Sequence, residues 1–168
     1  CGHQPVGRPG WRGAWGCAVK VYLSGPMSGL PGDNFPAFNK VTSMLRSFGI
    51  DVVNPAELNP GVGRPGPDAS PREVRAYWHK CIRVDTCELT YCDAIVLMPG
   101  WQYSDGAHSE LSTARDCGLQ IVMLEDVLPR EMWQGVPFPP VTLLRGLRYG
   151  EWSEATKFEH FDNVEGRV

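Results

Sequence analysis

The sequence predicts an α/β fold in which an open parallel sheet of four to five strands is flanked by helices. Short runs rich in β-branched residues alternate with longer segments whose apolar residues have helical spacing. Gly and Pro punctuate the connections, and no internal repeat interrupts this order. Alternation of strands and helices is typical of parallel sheets, because each crossover between parallel strands needs a helix or a long loop.

The predicted strands are short and mostly apolar, and cover residues 18–24, 50–53, 93–99 and 120–125. The predicted helices cover residues 34–48, 71–91 and 106–117. Ser70, Pro71 and Glu73 form a helix-start pattern, with a capping serine, a proline in the first position and the acid of a capping box. Residues 141–147 are predicted as a short helix or strand. This order is that of a flavodoxin-like or Rossmann-like sheet.

The chain of 168 residues divides by composition into three parts. Residues 1–17 are rich in Gly, Pro and Arg, contain no acidic residue, and are predicted to be a flexible N-terminal extension. Residues 18–150 form the main predicted domain, and residues 151–168 the predicted C-terminal tail.

Charge and cysteine content exclude some classes of function. The formal charge is −3, so duplex nucleic acid is not an expected partner. Six cysteines occur without a CxxC pair or zinc spacing. Those at Cys81, Cys87, Cys92 and Cys117 are interpreted as small, buried, reduced side chains. No apolar run is long enough to span a bilayer, so a membrane is not an expected partner. The expected location is cytoplasmic.

Candidate ligand-binding residues follow three predicted strands, since open parallel sheets bind ligands beyond the carboxyl ends of their strands. The first segment, residues 25–29, is small and glycine-rich, and could let backbone N–H groups approach a ligand. Asn54 follows the second strand. The third segment, residues 100–110, carries the sequence GWQYSDGAHSE.

Glu110 is the most informative residue of these segments. It is predicted in the first turn of its helix, on the apolar side with Ala107 and Leu111. The helix N-terminus is expected to keep its carboxylate ionised. An inward carboxylate must be paired or functional, but a helix-capping glutamate is an equally good interpretation from spacing alone.

Asp85 is a second inward carboxylate, because it follows Cys81 by four positions and Trp78 by seven. Two inward carboxylates on neighbouring helices suggest a pair with divided roles, in which one attacks and the other handles a proton. Asp93 opens a strand at the opposite end from the site, so a structural role is expected there.

Two stretches of the sequence resemble the nucleoside 2-deoxyribosyltransferase superfamily. They are KVYLSGPMSGLPGDNFPAFNKVTSMLRSFGIDVVNPAE and DAIVLMPGWQYSDGAHSELSTARDCGLQIV, and the most specific parts are YLSGPM and the span from Ser104 to Glu110. The resemblance is closest to a branch of small, often phage-encoded proteins. It extends to the nucleoside 5′-monophosphate N-glycosidases.

The resemblance implies a role for several residues. Glu110 is implied as the nucleophile that attacks C1′ of the sugar, Asp85 as the residue that assists the departing base by proton transfer, and Tyr22 as the aromatic residue that positions the nucleophile or sugar. The implied substrate contacts are at Gly25, Met27 and Ser28 in the first loop, and at Ser104 and Gly106 around the 5′ end.

The implied function is an N-glycosidase that hydrolyses the base–sugar bond of a nucleoside 5′-monophosphate, without a metal or organic cofactor. A 2-deoxyribosyltransferase that exchanges bases is one alternative, and a non-catalytic nucleotide-binding module is another. No basic residue stands in SGPMSG, where some monophosphate hydrolases have an arginine. The resemblance also implies a homo-oligomer, a dimer or higher.

Overall fold

The computed structural model describes residues 19–59 and 64–147, and its centre is a parallel sheet of four strands. The strands are β1 (Lys20–Ser24), β2 (Asp51–Val53), β3 (Ala94–Leu97) and β4 (Gln120–Met123). They lie in the order β2-β1-β3-β4, and every neighbouring pair is parallel. The predicted α/β class, sheet type and strand number are therefore confirmed.

Within the described residues, six α-helices connect and flank these strands. They are α1 (Phe35–Ser47), α2 (Pro55–Leu58), α3 (Pro71–Thr90), α4 (Asp105–Asp116), α5 (Leu124–Val127) and α6 (Val141–Leu147). Single 3₁₀ turns occur at Pro31–Asn34, Trp101–Tyr103 and Arg130–Trp133. None of the helices in the described part of the chain is long and apolar enough to cross a membrane.

The two faces of the sheet build two separate cores, because successive side chains of a strand point to opposite faces. On β1, Val21 and Leu23 belong to the core that includes α1 and α5. Tyr22 belongs to the second core, together with Leu89 of α3 and Leu111 of α4. The side chains on this second face of β1 therefore lie toward α3 and α4.

Local sequence signals explain where the two helices of the second core begin. The Ser70 side chain accepts from the backbone N–H of Glu73, and the Glu73 carboxylate accepts from Ser70 in return, as the capping-box pattern predicts. The Ser104 side chain caps α4 by accepting from the N–H of Ala107 at 3.2 Å. The structural role expected for Asp93 is confirmed, since its carboxylate accepts from the backbone N–H of Lys20 at 2.8 Å.

Some sequence expectations are wrong in detail. The short helix α2 lies between the second predicted strand and the second predicted helix, where no helix is predicted. Residues 141–147, predicted as a helix or a strand, form a helix. Cys92 is buried and Cys81 half-buried, but Cys87 and Cys117 are exposed, so their predicted burial is incorrect. Cys87 lies two positions from Leu89, which is buried, and so points away from the inward face of α3, while Cys117 follows the last residue of α4. The extension 1–17 and the tail 151–168 lie outside the described residues.

Candidate active site

The candidate site lies where the strand order reverses. The chain passes from β1 to β2 on one side and then crosses to β3 on the other side of β1. In such sheets the loops that leave the carboxyl ends of the two strands usually diverge at this point, and ligands bind in the crevice between them. Helix α4 follows the loop after β3 and packs beside α3 on this side of the sheet.

Glu110 extends from α4 toward the carboxyl end of β1 and accepts two hydrogen bonds from this strand. The phenol of Tyr22 donates to Glu110 Oε1 at 2.7 Å, and the hydroxyl of Ser24 donates to Oε2 at 2.5 Å. Tyr22 and Ser24 are both fully buried, whereas Glu110 keeps partial exposure. Both oxygens of its carboxylate are thus held by hydroxyl groups of β1.

The surroundings of Glu110 correct two sequence expectations. Glu110 is the sixth residue of α4 and bonds to side chains of β1, so it does not act as a helix cap. Burial raises the pKa of Glu110 to about 7. The hydrogen bonds from Ser24 and Tyr22 lower this pKa, and the charge of Asp85 raises it. The helix N-terminus, more than a turn away, does not keep the carboxyl fully ionised at neutral pH, contrary to expectation.

Tyr22 stays protonated under all physiological conditions. Burial raises the pKa of its phenol well above the ordinary value, and the negative charges of Glu110 and Asp85 raise it further. A neutral phenol donates a hydrogen bond, so Tyr22 acts as a permanent donor to the Glu110 carboxylate.

Asp85 lies on α3, and its charge acts on both Glu110 and Tyr22. Burial raises its pKa to about 7, and the hydrogen bond that its Oδ1 accepts from Asn59 Nδ2 at 2.7 Å opposes the increase. The Asp85 charge raises the pKa of both Glu110 and Tyr22. Two carboxyl groups whose pKa values lie near neutrality and whose charges interact can divide the roles of nucleophile and proton donor.

The N-terminus of α4 forms another wall of the site. The oxygen of Ser104 accepts from the N–H of Ala107, so its own O–H can still donate to a ligand. Gly106 has room around it, since a Cβ there would meet only Ser104 Oγ, at 3.8 Å. The free N–H groups of a helix start bind anions well, so this end of α4 suits a phosphate.

The loop after β1 contains the three predicted contacts Gly25, Met27 and Ser28. A Cβ on Gly25 would lie 2.9 Å from Cβ of Met98, so glycine is needed here for β1 and the end of β3 to approach each other. Met27 is half-buried against the core, and Ser28 is exposed. Asn34 steadies this loop by donating to the carbonyl of Pro26 at 2.7 Å.

Asn54 is placed differently from the other predicted contacts. It is 1% exposed, and its side chain caps α2 by accepting from the N–H of Ala56 at 3.0 Å. Its amide nitrogen donates to Asn39 Oδ1, also at 3.0 Å. Both ends of the amide therefore have protein partners, and the substrate contact predicted for Asn54 remains a prediction.

Two residues of the site were missed from the sequence: Ser24, which bonds Glu110, and Asn59, which bonds Asp85. Ser24 shares the two-residue period of β1 with Tyr22, and this period is the signal that could have found it. Asn59 stands in a Gly/Pro-rich loop that carries no such signal. Across residues 19–59 and 64–147, no group of three or more His, Cys, Asp or Glu side chains is arranged to hold a metal ion.

Comparisons with known proteins give a family without an assigned activity. The model of the family described as "Domain of unknown function (DUF4406)" matches residues 19–123. The solved structures that match include one described as "Solution Structure of BlsM", with a TM-score of 0.39 and 17% identity, over 73% of this chain and 96% of that chain. Among curated proteins no relative matches the sequence.

Proposed function

The chain belongs to the DUF4406 family, and from its site we propose that it is an N-glycosidase that hydrolyses the base–sugar bond of a nucleoside 5′-monophosphate. One observation carries the proposal: the Glu110 carboxylate is held by Tyr22 and Ser24, and the charge of a second carboxyl, Asp85, is close enough to raise its pKa. The resemblance to N-glycosidases of the deoxyribosyltransferase superfamily in YLSGPM and from Ser104 to Glu110 supports the same reaction.

The first step uses the two carboxyl groups in opposite protonation states. Ionised Glu110 attacks C1′ of the sugar, so that a C1′–O bond forms while the C1′–N bond to the base breaks. Protonated Asp85 gives its proton to the departing base, which leaves neutral. A carboxylate beside C1′ also stabilises the positive charge that develops on the sugar ring in the transition state.

The second step releases the sugar. Ionised Asp85 takes a proton from a water molecule, the water oxygen bonds to C1′, and the ester bond to Glu110 breaks. Glu110 is returned as a carboxylate and Asp85 as an acid, so one water is consumed for each base and sugar phosphate released. If a second base replaces the water, the same site performs the exchange of a deoxyribosyltransferase.

The N-terminus of α4 favours a 5′-monophosphate over a free nucleoside. The backbone N–H groups around Gly106 and the Ser104 hydroxyl can donate to phosphate oxygens, and the helix dipole adds to the attraction. Glu110 lies on the same helix, so a sugar bound at its 5′ end by this terminus would present C1′ further along the helix.

The test is a panel of ribo- and deoxyribonucleosides and their 5′-monophosphates, incubated with the protein while release of free base is followed by chromatography. We expect release from one or more monophosphates, and none or far slower release from the matching nucleosides. Each reaction is repeated with a second free base.

The outcomes of this panel discriminate the alternatives. Product formation that requires the second base would replace the hydrolase with the transferase. Binding of monophosphates without any release, at pH values from 5 to 9, would overturn both enzymatic proposals and leave a nucleotide-binding module.

A further inference from the structure

Ser24 ends β1 as a fully buried polar residue on the face of the sheet that carries the candidate site. A buried hydroxyl costs free energy unless it is hydrogen-bonded, so a fully buried serine at the end of a strand needs a reason. The hydroxyl donates to Glu110 Oε2 at 2.5 Å, which is short for a hydrogen bond and typical of one with a charged acceptor.

Tyr22 and Ser24 reach Glu110 from the same strand because they are two residues apart and so point to one face. The longer Tyr22 side chain meets Oε1, and the short Ser24 side chain meets Oε2. One donor would leave the carboxylate free to rotate about its terminal bond. Two donors on different oxygens fix the plane of the carboxylate, and both come from β1, one of the two inner strands of the sheet.

Resting on the proposed function, we propose that Ser24 is a positioning residue: together with Tyr22 it clamps the Glu110 carboxylate in one orientation and holds it in the ionised form that attacks the sugar. Ser24 need not touch the substrate for this role. Its hydroxyl contacts the oxygen that Tyr22 does not, so each donor has its own effect on Glu110.

The clamp formed by the Ser24 and Tyr22 hydroxyls opposes the effect of burial on the pKa of Glu110. Burial raises the pKa of Glu110 to about 7, and the hydrogen bonds from Ser24 and Tyr22 lower it. A donor stabilises the carboxylate more than the carboxylic acid, so loss of the Ser24 hydroxyl raises the pKa of Glu110. The fraction of protein with ionised Glu110 at neutral pH then falls, and the remaining single donor orients it less strictly.

The experiment compares Ser24→Ala, Ser24→Cys and a control, Thr42→Val, with the unaltered protein. Thr42 is equally buried, lies on α1 on the other side of the sheet, and its hydroxyl finds no hydrogen-bond partner among the described residues. Carbon-13 NMR of the Glu110 carboxyl follows its titration without any need for turnover. Steady-state base release gives kcat and KM across pH.

In Ser24→Ala we expect the titration midpoint of Glu110 to rise by about one pH unit. The acid limb of the pH–rate profile should move up equally, and kcat should fall about tenfold or more while KM changes less than about threefold. Ser24→Cys should give intermediate values because a thiol is a weaker donor. Thr42→Val should leave both midpoint and profile unchanged.

An unchanged Glu110 midpoint in Ser24→Ala, with the circular dichroism of the folded protein retained, would overturn the role of Ser24. A midpoint that also moves in Thr42→Val would overturn it as well, because the effect would then not belong to the clamp. If Ser24→Ala does not fold, the midpoint of Ser24→Cys decides in the same way. Absence of base release in the unaltered protein counts against the proposed function alone, since the NMR titration does not depend on activity.

Discussion

Tyr22, Asp85 and Glu110 illustrate how burial prepares polar groups for chemistry. Burial raises the pKa of all three side chains, which keeps the phenol a permanent donor and brings both carboxyls to about 7. At that value each carboxyl can hold or release a proton at physiological pH, which an exposed Asp or Glu cannot do to the same extent.

The two raised pKa values predict a bell-shaped dependence of kcat/KM on pH with its maximum near 7. Activity is lost as pH falls below about 7 because Glu110 becomes protonated, and as pH rises above about 7 because Asp85 loses its proton. A pH series of base-release rates measures both limbs. Asp85→Asn should lower the maximum and remove the alkaline limb, whereas an alkaline limb that persists in this variant would assign it to another group.

At the scale of elements, close contacts at the carboxyl edge of the sheet hold the site loops in place. The loop after β1 meets Met98 at the end of β3 through Gly25. The loop after β3 turns at Gly100, which has φ of +88°, and Leu144 of α6 packs directly against it. Helix α6 thereby covers the outer side of the loop that leads to α4.

Gly25→Ala should destabilise the protein by about 1–3 kcal/mol, because its new Cβ lies 2.9 Å from Met98 Cβ and neither backbone can easily retreat. Gly106→Ala is the matched control, since its Cβ meets only Ser104 Oγ at 3.8 Å. It should change stability by less than about 1 kcal/mol. Urea unfolding of both variants measures the difference, and equal stabilities would contradict a close approach of β1 and β3 at Gly25.

The elements also show what sequence could predict. Strands and the main helices follow from apolar periodicity, and the start of α3 from Ser70, Pro71 and Glu73, because these signals are local. Helix α2 spans only four residues, too few to display a period. The Ser24–Glu110 contact joins residues 86 positions apart. Their approach depends on strand order and on how α4 packs, which no local pattern encodes.

For the molecule as a whole, the buried carboxyls link stability to pH. Both Asp85 and Glu110 have pKa values in the folded protein raised above their ordinary values, so the folded chain binds more protons than the unfolded chain between about pH 4 and 7. The stabilisation by these protons is complete below the unfolded pKa and is lost as pH rises through about 7.

The free energy of unfolding of the unaltered protein should therefore decrease, relative to that of Asp85→Asn, as pH rises from about 5 to about 8. We expect the variant to be more stable than the unaltered protein at pH 8 by about 2 kcal/mol, because it keeps an acceptor for Asn59 without a buried charge. Asp68→Asn, at an exposed loop position, is the control and should change little. Urea titrations at several pH values test this, and parallel curves for the three proteins would contradict it.

The number of chains that associate is a further property of the whole molecule. A homo-oligomer remains a prediction from the family resemblance. Several large apolar side chains are exposed on the single chain, at Tyr91, Ile121, Met132, Val141 and Leu143. Sedimentation equilibrium over a range of protein concentrations measures the number of chains directly.

The most direct test of Glu110 as the reacting group is base release by Glu110→Gln beside the unaltered protein, on the same 5′-monophosphate at pH 7. Glutamine keeps the shape of the side chain but cannot attack C1′, so we expect the rate to fall by about a thousandfold or more. Glu88→Gln, which removes a carboxylate from the partly exposed side of α3, should retain the full rate. A Glu110→Gln variant that releases base as fast as the unaltered protein would contradict the proposed mechanism.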